Sequence, residues 1–273
     1  MQSLKETLQK DNALQKVNSA LNWTSNSCEI HEISKMIVNE KEVCPRCECE
    51  RMNDEFAERV NAEIHGNLEK QKQNNLETKS LVQDKTLLKA SLKSFVVKTQ
   101  EEHTNKSEAM KCLDKYKKGQ KFNLWFNGKP GVGKSHLAMS ILKELNGLDT
   151  SCLFIDIDEM LRKIRNSFSN KESPYTEQYF IDLLSEVDFL VLDDLGAETG
   201  NIDTDKQASD FTSRVLRAVI NARQDKATII TTNLASEKLL NMYDPKLISR
   251  MMKNLQSIVF KETKDKRLKN VGF

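Results

Sequence analysis

Hydrophobic positions in the first 68 residues recur at helical spacing. Leu4, Leu8, Leu14, Val17 and Leu21 are spaced by three, four or six, which predicts an amphipathic helix over residues 4–21. Met52, Phe56, Val60, Ile64 and Leu68 recur every four and predict a second helix. Residues 22–49 are Cys-rich and irregular, and residues 67–80 (NLEKQKQNNLETKS) are almost wholly polar, as in a linker or a solvated helix. After about residue 82 short apolar runs (FNLWF, SCLFIDI, DFLVLD, ATIITTN and SIVF) alternate with longer helical stretches. Strands separated by helices predict βαβ units and a mostly parallel sheet. DFLVLD is apolar on both faces, as a central strand must be. The expected organisation is a small helical N-terminal domain over residues 1–66, a linker over 67–95 and an α/β domain over 96–273.

Composition narrows the choice of partners. Lys plus Arg is 42 against 40 Asp plus Glu, so a net charge of +2 excludes a histone-like polycation or an acidic tail protein. Residues 1–60 hold 8 basic and 11 acidic side chains, net −3, which leaves +5 for the remainder. Any nucleic-acid contact must come from a local patch. No run approaches the ~18 apolar residues of a membrane span, and Met1–Lys10 lacks the apolar core of a secretory signal. A cytoplasmic location and no membrane partner are expected.

Four of the six cysteines fall within the first fifty residues, and in a reducing compartment that clustering points to a metal. Cys28-x2-His31, then twelve residues, then Cys44-Pro-Arg-Cys47 has the spacing of a tetrahedral Zn²⁺ site. Cys49 competes with His31 for the fourth position. With no open position the site is structural, and zinc would supply folding energy that so small a segment lacks.

Residues 128–135 read Gly-Lys-Pro-Gly-Val-Gly-Lys-Ser and satisfy G-x-x-x-x-G-K-[ST], between a predicted strand (122–126) and a predicted helix (136–145). Such a loop wraps phosphates in main-chain N–H groups at a helix N-terminus. Gly128, Lys129, Pro130, Gly131, Val132, Gly133, Lys134, Ser135 and the adjoining His136 form the expected nucleotide-binding set. Lys134 is expected at the β- and γ-phosphates and Ser135 on Mg²⁺. The strand 189–194 ends in two carboxylates. Asp193 is expected to complete the Mg²⁺ shell, and Asp194 either polarises the attacking water or caps the following loop. Asn233, closing the apolar run 227–233, either hydrogen-bonds the γ-phosphate and water or makes a turn. Thr232 is a weaker candidate for that bond.

The order of GKPGVGKS (128–135), FIDIDEMLRKIRNSFSN (154–170), DFLVLDDLGAE (188–198), IITTNL (229–234) and PKLISRMMKN (245–254) resembles the AAA+ ATPases of the bacterial helicase-loader group. These are the DnaC/DnaI type, which includes the IstB-like transposition ATPases. The resemblance covers roughly residues 100–270. It implies an AAA+ P-loop NTPase fold, ATP with Mg²⁺, and slow, DNA-stimulated hydrolysis. It also implies self-association through the ATPase domain, a hexameric replicative helicase as partner, and single-stranded DNA. Asn233 matches the family's sensor 1. Arg250 matches its arginine finger, which acts on the neighbouring subunit's ATP; the alternative is a helix-surface ion pair. Arg267 stands where the family places a sensor 2 arginine, although 261–270, with five basic and two acidic residues, also reads as a solvated tail. A zinc-bearing N-terminal domain resembles the DnaI branch, where that domain grips the helicase. The helix 4–21 and the zinc module are the candidates for the grip.

Asp158–Phe168 reads as an amphipathic helix with Arg162, Lys163 and Arg165 off its apolar side. In the resembled loaders this element lines the ring pore and tracks single-stranded DNA. Tyr175 and Phe168 are available for stacking, with Phe168 expected in the core. Three functions compete: an ATP-controlled helicase loader of phage or chromosomal origin, an IstB-type transposition ATPase on duplex DNA, and a non-catalytic helicase-binding adaptor or inhibitor. The zinc module disfavours the second, and the intact P-loop and both aspartates disfavour the third.

Overall fold

The computed structural model of the chain describes residues 23–148, 150–199 and 207–267. The helix expected over 4–21 lies outside the described residues. The chain divides into two compact units, residues 1–68 and 69–273.

In the first unit, β1 (Trp23–Ser27), β2 (Ser34–Val38) and β3 (Lys41–Val43) form an antiparallel sheet in that order. Much of residues 23–43, irregular by sequence pattern, is therefore ordered as strands. The β2–β3 turn is only Asn39–Glu40, both at positive φ (49° and 65°). That is the conformation of a two-residue hairpin turn, for which Asn-Gly is the usual signature and Asn-Glu a disguised one. Helix α1 (Pro45–Thr78) follows. Pro45 suits a first helical position, where its missing N–H costs nothing. The polar residues that read as linker or solvated helix are helical as far as Thr78.

The second unit continues with α2 (Gln100–Lys117), β4 (Asn123–Gly128), α3 (Lys134–Asn146), β5 (Cys152–Asp156), α4 (Ile157–Ser169), α5 (Glu177–Glu186) and β6 (Phe189–Leu195). Then come α6 (Asp210–Ala222), β7 (Ala227–Thr232), α7 (Ser236–Met242), α8 (Pro245–Met251) and β8 (Leu255–Phe260). The five strands expected from the apolar runs pair in the order β5-β6-β7-β4-β8, all parallel. Alternate residues feed two cores. Trp125, Leu190, Leu192 and Ile230 join one, with α4–α8. Leu124, Phe126, Val191 and Ile229 join the other, with α2 and α3. Burial of both faces explains why these strands are continuously apolar.

The free edge of β5 is covered by the segment that joins α1 to α2. Leu81 bridges Ile155, donating from its N–H to the Phe154 carbonyl and accepting from Asp156 N–H, both at 2.9 Å. At the other end, Glu101 near the start of α2 accepts the amides of Lys261, Glu262 and Thr263 at 2.7–3.1 Å. The segment after β8 is thereby pinned beside the loop that follows β4.

Candidate nucleotide site and metal centre

A cleft of about 940 Å³ opens at the C-terminal ends of the strands, where ligands bind in open α/β sheets. The loop between β4 and α3 forms its floor. Gly131 and Gly133 have φ of +78° and +102°, a region that side chains strain to enter. A Cβ on Gly131 would lie 1.8 Å from the Asp265 carboxylate, and one on Gly133 would lie 2.7 Å from the Phe95 ring. The loop is thus packed closely from outside while its amides remain available to the cleft.

Lys134 is almost fully buried. Its ammonium donates to the carbonyls of Gly128 (2.8 Å) and Lys129 (3.0 Å) and to Asn233 Oδ1 (2.6 Å). Burial lowers its pKa to about 8, with Asp194 and Asp193 pulling the other way. A buried cation held by neutral oxygens suits an anion such as a phosphate chain.

Opposite stand three carboxylates. Asp193 is buried, accepts Thr231 Oγ1 at 2.7 Å, and is bonded by Ser135. Burial, and then the charge of Asp194, push it up to about 7. A divalent cation would reverse both effects, so Ser135 and Asp193 fit a Mg²⁺ ion. Asp194 has φ of +57°, and the β6–β7 register shifts between Leu192 and Leu195. This bulge turns the second carboxylate of the pair toward the cleft, at a strain cost of about 1–2 kcal/mol. The loop after β6 is closed by another residue, Glu198, which accepts Gly196 N–H at 2.9 Å.

Asp156 escaped the sequence reading. It ends β5 as the register partner of Asp193, caps α4 by accepting Glu159 N–H at 2.8 Å, and lines the same cleft. Burial raises its pKa. The signal was present, because FIDID is an apolar run ending in Asp, as DFLVLDD is.

Residues 83–99 and 262–267 supply the remaining walls, of which only Arg267 was expected at the nucleotide. His136 accepts or donates at Ser94 Oγ (3.1 Å), meets the Ser91 carbonyl (3.0 Å) and packs edge-on to Phe95. Lys266 donates its N–H to the Gly131 carbonyl at 2.9 Å and lies 3.9 Å over the Phe95 ring. Arg267 lines the cleft and donates its N–H to Asp265 at 2.8 Å. Thr232, buried, spends its hydroxyl on the Leu195 carbonyl at 2.7 Å. Arg250 is exposed on α8, does not line the cleft of its own chain, and makes no side-chain ion pair among the described residues.

On α4, Leu161 and Ile164 are buried, but Phe168 is 63% exposed. This corrects its expected place in the core: the last turn of α4 runs past the packed side chains, and the Phe168 ring meets the edge of the Phe211 ring with centroids 5.7 Å apart. Lys163 lies 4.4 Å over the Tyr175 ring, while Arg162 pairs with Glu159 and Arg165 approaches Asp158.

In the first unit, ligand atoms of Cys28, His31, Cys44 and Cys47 lie within 4.8 Å of one another, and Cys49 stands apart and exposed. His31 Nδ1 is 3.9, 3.6 and 3.3 Å from the three sulfurs, and Cys28 Sγ is 3.7 Å from Cys47 Sγ. Tetrahedral Zn²⁺ with its usual bond lengths needs edges of roughly 3.6 Å (S–N) and 3.8 Å (S–S). The Cys/His group is compatible with zinc in donor type and in spacing. His31 Nε2 meets Glu50 Oε1 at 3.1 Å, the carboxylate support that orients a ligating imidazole. Among the described residues no helix is long and apolar enough to cross a membrane.

Residues 124–257 match the AAA family, the ATPase family associated with various cellular activities. The replicative helicase loader DnaC of Escherichia coli K12 is 29% identical over 128 residues, 46% of this chain and 48% of that protein. The fold over these residues is that of an AAA+ P-loop domain, similar to DnaC over part of its length. A DnaC helicase loader crystal structure superposes on this fold with a TM-score of 0.55 at 23% identity, covering 65% of this chain and 99% of that one. A DnaI structure gives 0.54 at 22% identity, covering 67% and 96%. The chain spans about half the length of the curated relatives it matches. The AAA+ domain makes this an ATPase fold, with nucleotide and Mg²⁺ as its implied ligands.

Proposed function

We propose that the chain is an ATP-dependent loader that binds a hexameric replicative helicase and delivers it onto single-stranded DNA. The observation that carries this reading is a DnaC-type AAA+ domain whose P-loop, Asp193 and Asn233 converge on one cleft while Arg250 stands outside it. A finger that cannot serve its own pocket serves a neighbour's, so the cleft is completed by self-association. The Cys/His unit is the part left to grip the helicase. It offers exposed Met52, Phe56 and Ile64 on α1, and Zn²⁺ held by Cys28, His31, Cys44 and Cys47 would keep it folded.

Ser135 and Asp193 would hold Mg²⁺, which would supply positive charge against the negative charge developing on the phosphates. The rest falls to side chains of this chain. Main-chain N–H groups of residues 131–135 clasp the phosphates. Lys134 exchanges its carbonyl acceptors for phosphate oxygens, regaining full charge. Ser135 and Asp193 hold the cation side, and Asp194, on its bulge, takes up a proton from the attacking water. An aspartate is shorter than a glutamate, consistent with slow turnover. Asn233 passes from Lys134 to the γ-phosphate and water, and Arg267 reaches the phosphates from the opposite wall. Exposed Phe168 and Tyr175, with Lys163 and Arg165, form the contact for single-stranded DNA.

The test is a pull-down with replicative helicase and nucleotide, scored for complex size. A nucleotide-dependent complex lost in Lys134→Ala is expected. If the unaltered chain captures no helicase, or Lys134→Ala changes nothing, the loader reading fails.

A further inference from the structure

Tyr243 is 3% exposed, yet its hydroxyl ends on a carboxylate: it donates to Glu198 Oε1. Glu198 uses its other oxygen to accept Gly196 N–H at 2.9 Å. Glu198 therefore belongs to the turn that follows Asp193 and Asp194. Tyr243 belongs to the junction of α7 and α8, where its N–H donates to the Leu239 carbonyl at 3.0 Å. The next residue, Asp244, caps α8 by accepting Lys246 N–H at 2.7 Å and takes Arg217 Nη2 at 2.7 Å. Leu247, Ile248 and Met251 bury the inner face of α8, and Asn123 Nδ2 donates to the Met251 carbonyl at 3.0 Å. The helix is thus fixed at both ends, and Arg250 is left on its exposed side. One phenol–carboxylate bond joins the acidic end of β6 to the start of the helix that carries Arg250.

We propose that Tyr243 and Glu198 are a positioning pair for Arg250: their hydrogen bond sets α8 against the turn after Asp194, so that each copy's own pocket governs the arginine it presents to the next. The inference rests on the reading of Arg250 as a finger acting between copies. The bond is enclosed, so its loss leaves a buried carboxylate oxygen without its donor. Removal of the hydroxyl alone keeps the aromatic packing.

The test mixes two full-length variants. Arg250→Ala keeps its pocket but lacks the finger, and Asp194→Asn binds nucleotide without hydrolysing it but still presents Arg250. Mixing them restores ATP hydrolysis in the Arg250→Ala pockets. Tyr243→Phe is then added to one partner at a time. In the Asp194→Asn donor it lowers the restored rate about tenfold with KM unchanged, whereas in the Arg250→Ala acceptor the loss stays below about twofold. In the donor, Glu198→Gln, which keeps a carbonyl acceptor, retains the restored rate, and Glu198→Ala loses it. Melting temperature and binding of a fluorescent ATP analogue, measured for every variant, establish that each is folded and loaded. Equal losses in donor and acceptor, or no loss in the donor, overturn the inference. If the two parent variants restore nothing when mixed, the finger reading itself falls, a result distinct from the other two.

Discussion

The Lys134 ammonium and the Asn233 side-chain oxygen meet at 2.6 Å, tying the loop after β4 to the end of β7 across the floor of the cleft. Asn233 thereby holds the lysine where the phosphates must come. Asn233→Ala should leave nucleotide affinity within about threefold and lower kcat about tenfold or more, because Lys134 retains the Gly128 and Lys129 carbonyls. Lys134→Ala should abolish binding. Titration with a fluorescent ATP analogue and steady-state phosphate release separate the two. An Asn233→Ala protein with unaltered turnover would remove Asn233 from the mechanism.

Glu50 supports His31 from outside the Cys/His group. Glu50→Gln should weaken zinc binding about tenfold, and His31→Ala more, as measured by competition with a chromogenic chelator. Metal analysis of the unaltered protein should find one zinc per chain. Stripping the metal should unfold the β1–β3 sheet while nucleotide binding by the second unit persists. Zinc affinity equal in Glu50→Gln and the parent would show that the carboxylate has no such role.

The thiols differ in reactivity by burial. Burial pushes the Cys152 thiol up to about 12, against a hydrogen bond with Thr150. An acid whose folded pKa lies above its unfolded value loses stability as pH rises: the unfolded thiol ionises from about 9 upward while the folded one stays protonated. Stability should therefore fall between about pH 9 and pH 12, and Cys152→Ala or Cys152→Ser should flatten that slope. In the zinc-loaded protein at pH 8 a thiol reagent should modify exposed Cys49 first and leave Cys112 and Cys152 unreacted until denaturant is added. Early labelling of Cys152 by mass spectrometry would contradict its buried place on β5.

The DNA contact is testable through salt. Lys163→Ala with Arg165→Ala should weaken single-stranded DNA binding and reduce the slope of log affinity against log salt by roughly 0.7 per charge removed. Phe168→Ala should cost about 1–3 kcal/mol with the slope unchanged, as expected for stacking. Fluorescence anisotropy at several salt concentrations measures both, and unchanged slopes would place the DNA elsewhere.

Much of this molecule is legible from local pattern alone. A parallel strand buried on both faces must be largely apolar, so FNLWF, SCLFIDI, DFLVLD and ATIITTN announce themselves, and SIVF, on the edge strand, does so by its buried Ile258 and Phe260. A loop that closes on phosphates must be glycine-rich and end in Lys-Ser, so residues 128–135 do too. Cys-x2-His and Cys-x2-Cys carry their chemistry in their spacing. Other features depend on residues far apart in sequence. Asp156 becomes part of the site only because β5 pairs in register with Asp193. Phe168 is exposed because α4 outruns the core, and residues 83–99 and 262–267 wall the cleft because the β5 edge and Glu101 anchor them. Glu198 and Tyr243, 45 positions apart, meet only once the loop after β6 and the end of α7 are packed together. Local sequence determines which strands, loops and ligand pairs can exist, because backbone sterics and solvation act over a few residues. Which of them share a pocket is decided by sheet order and burial, which no single segment contains.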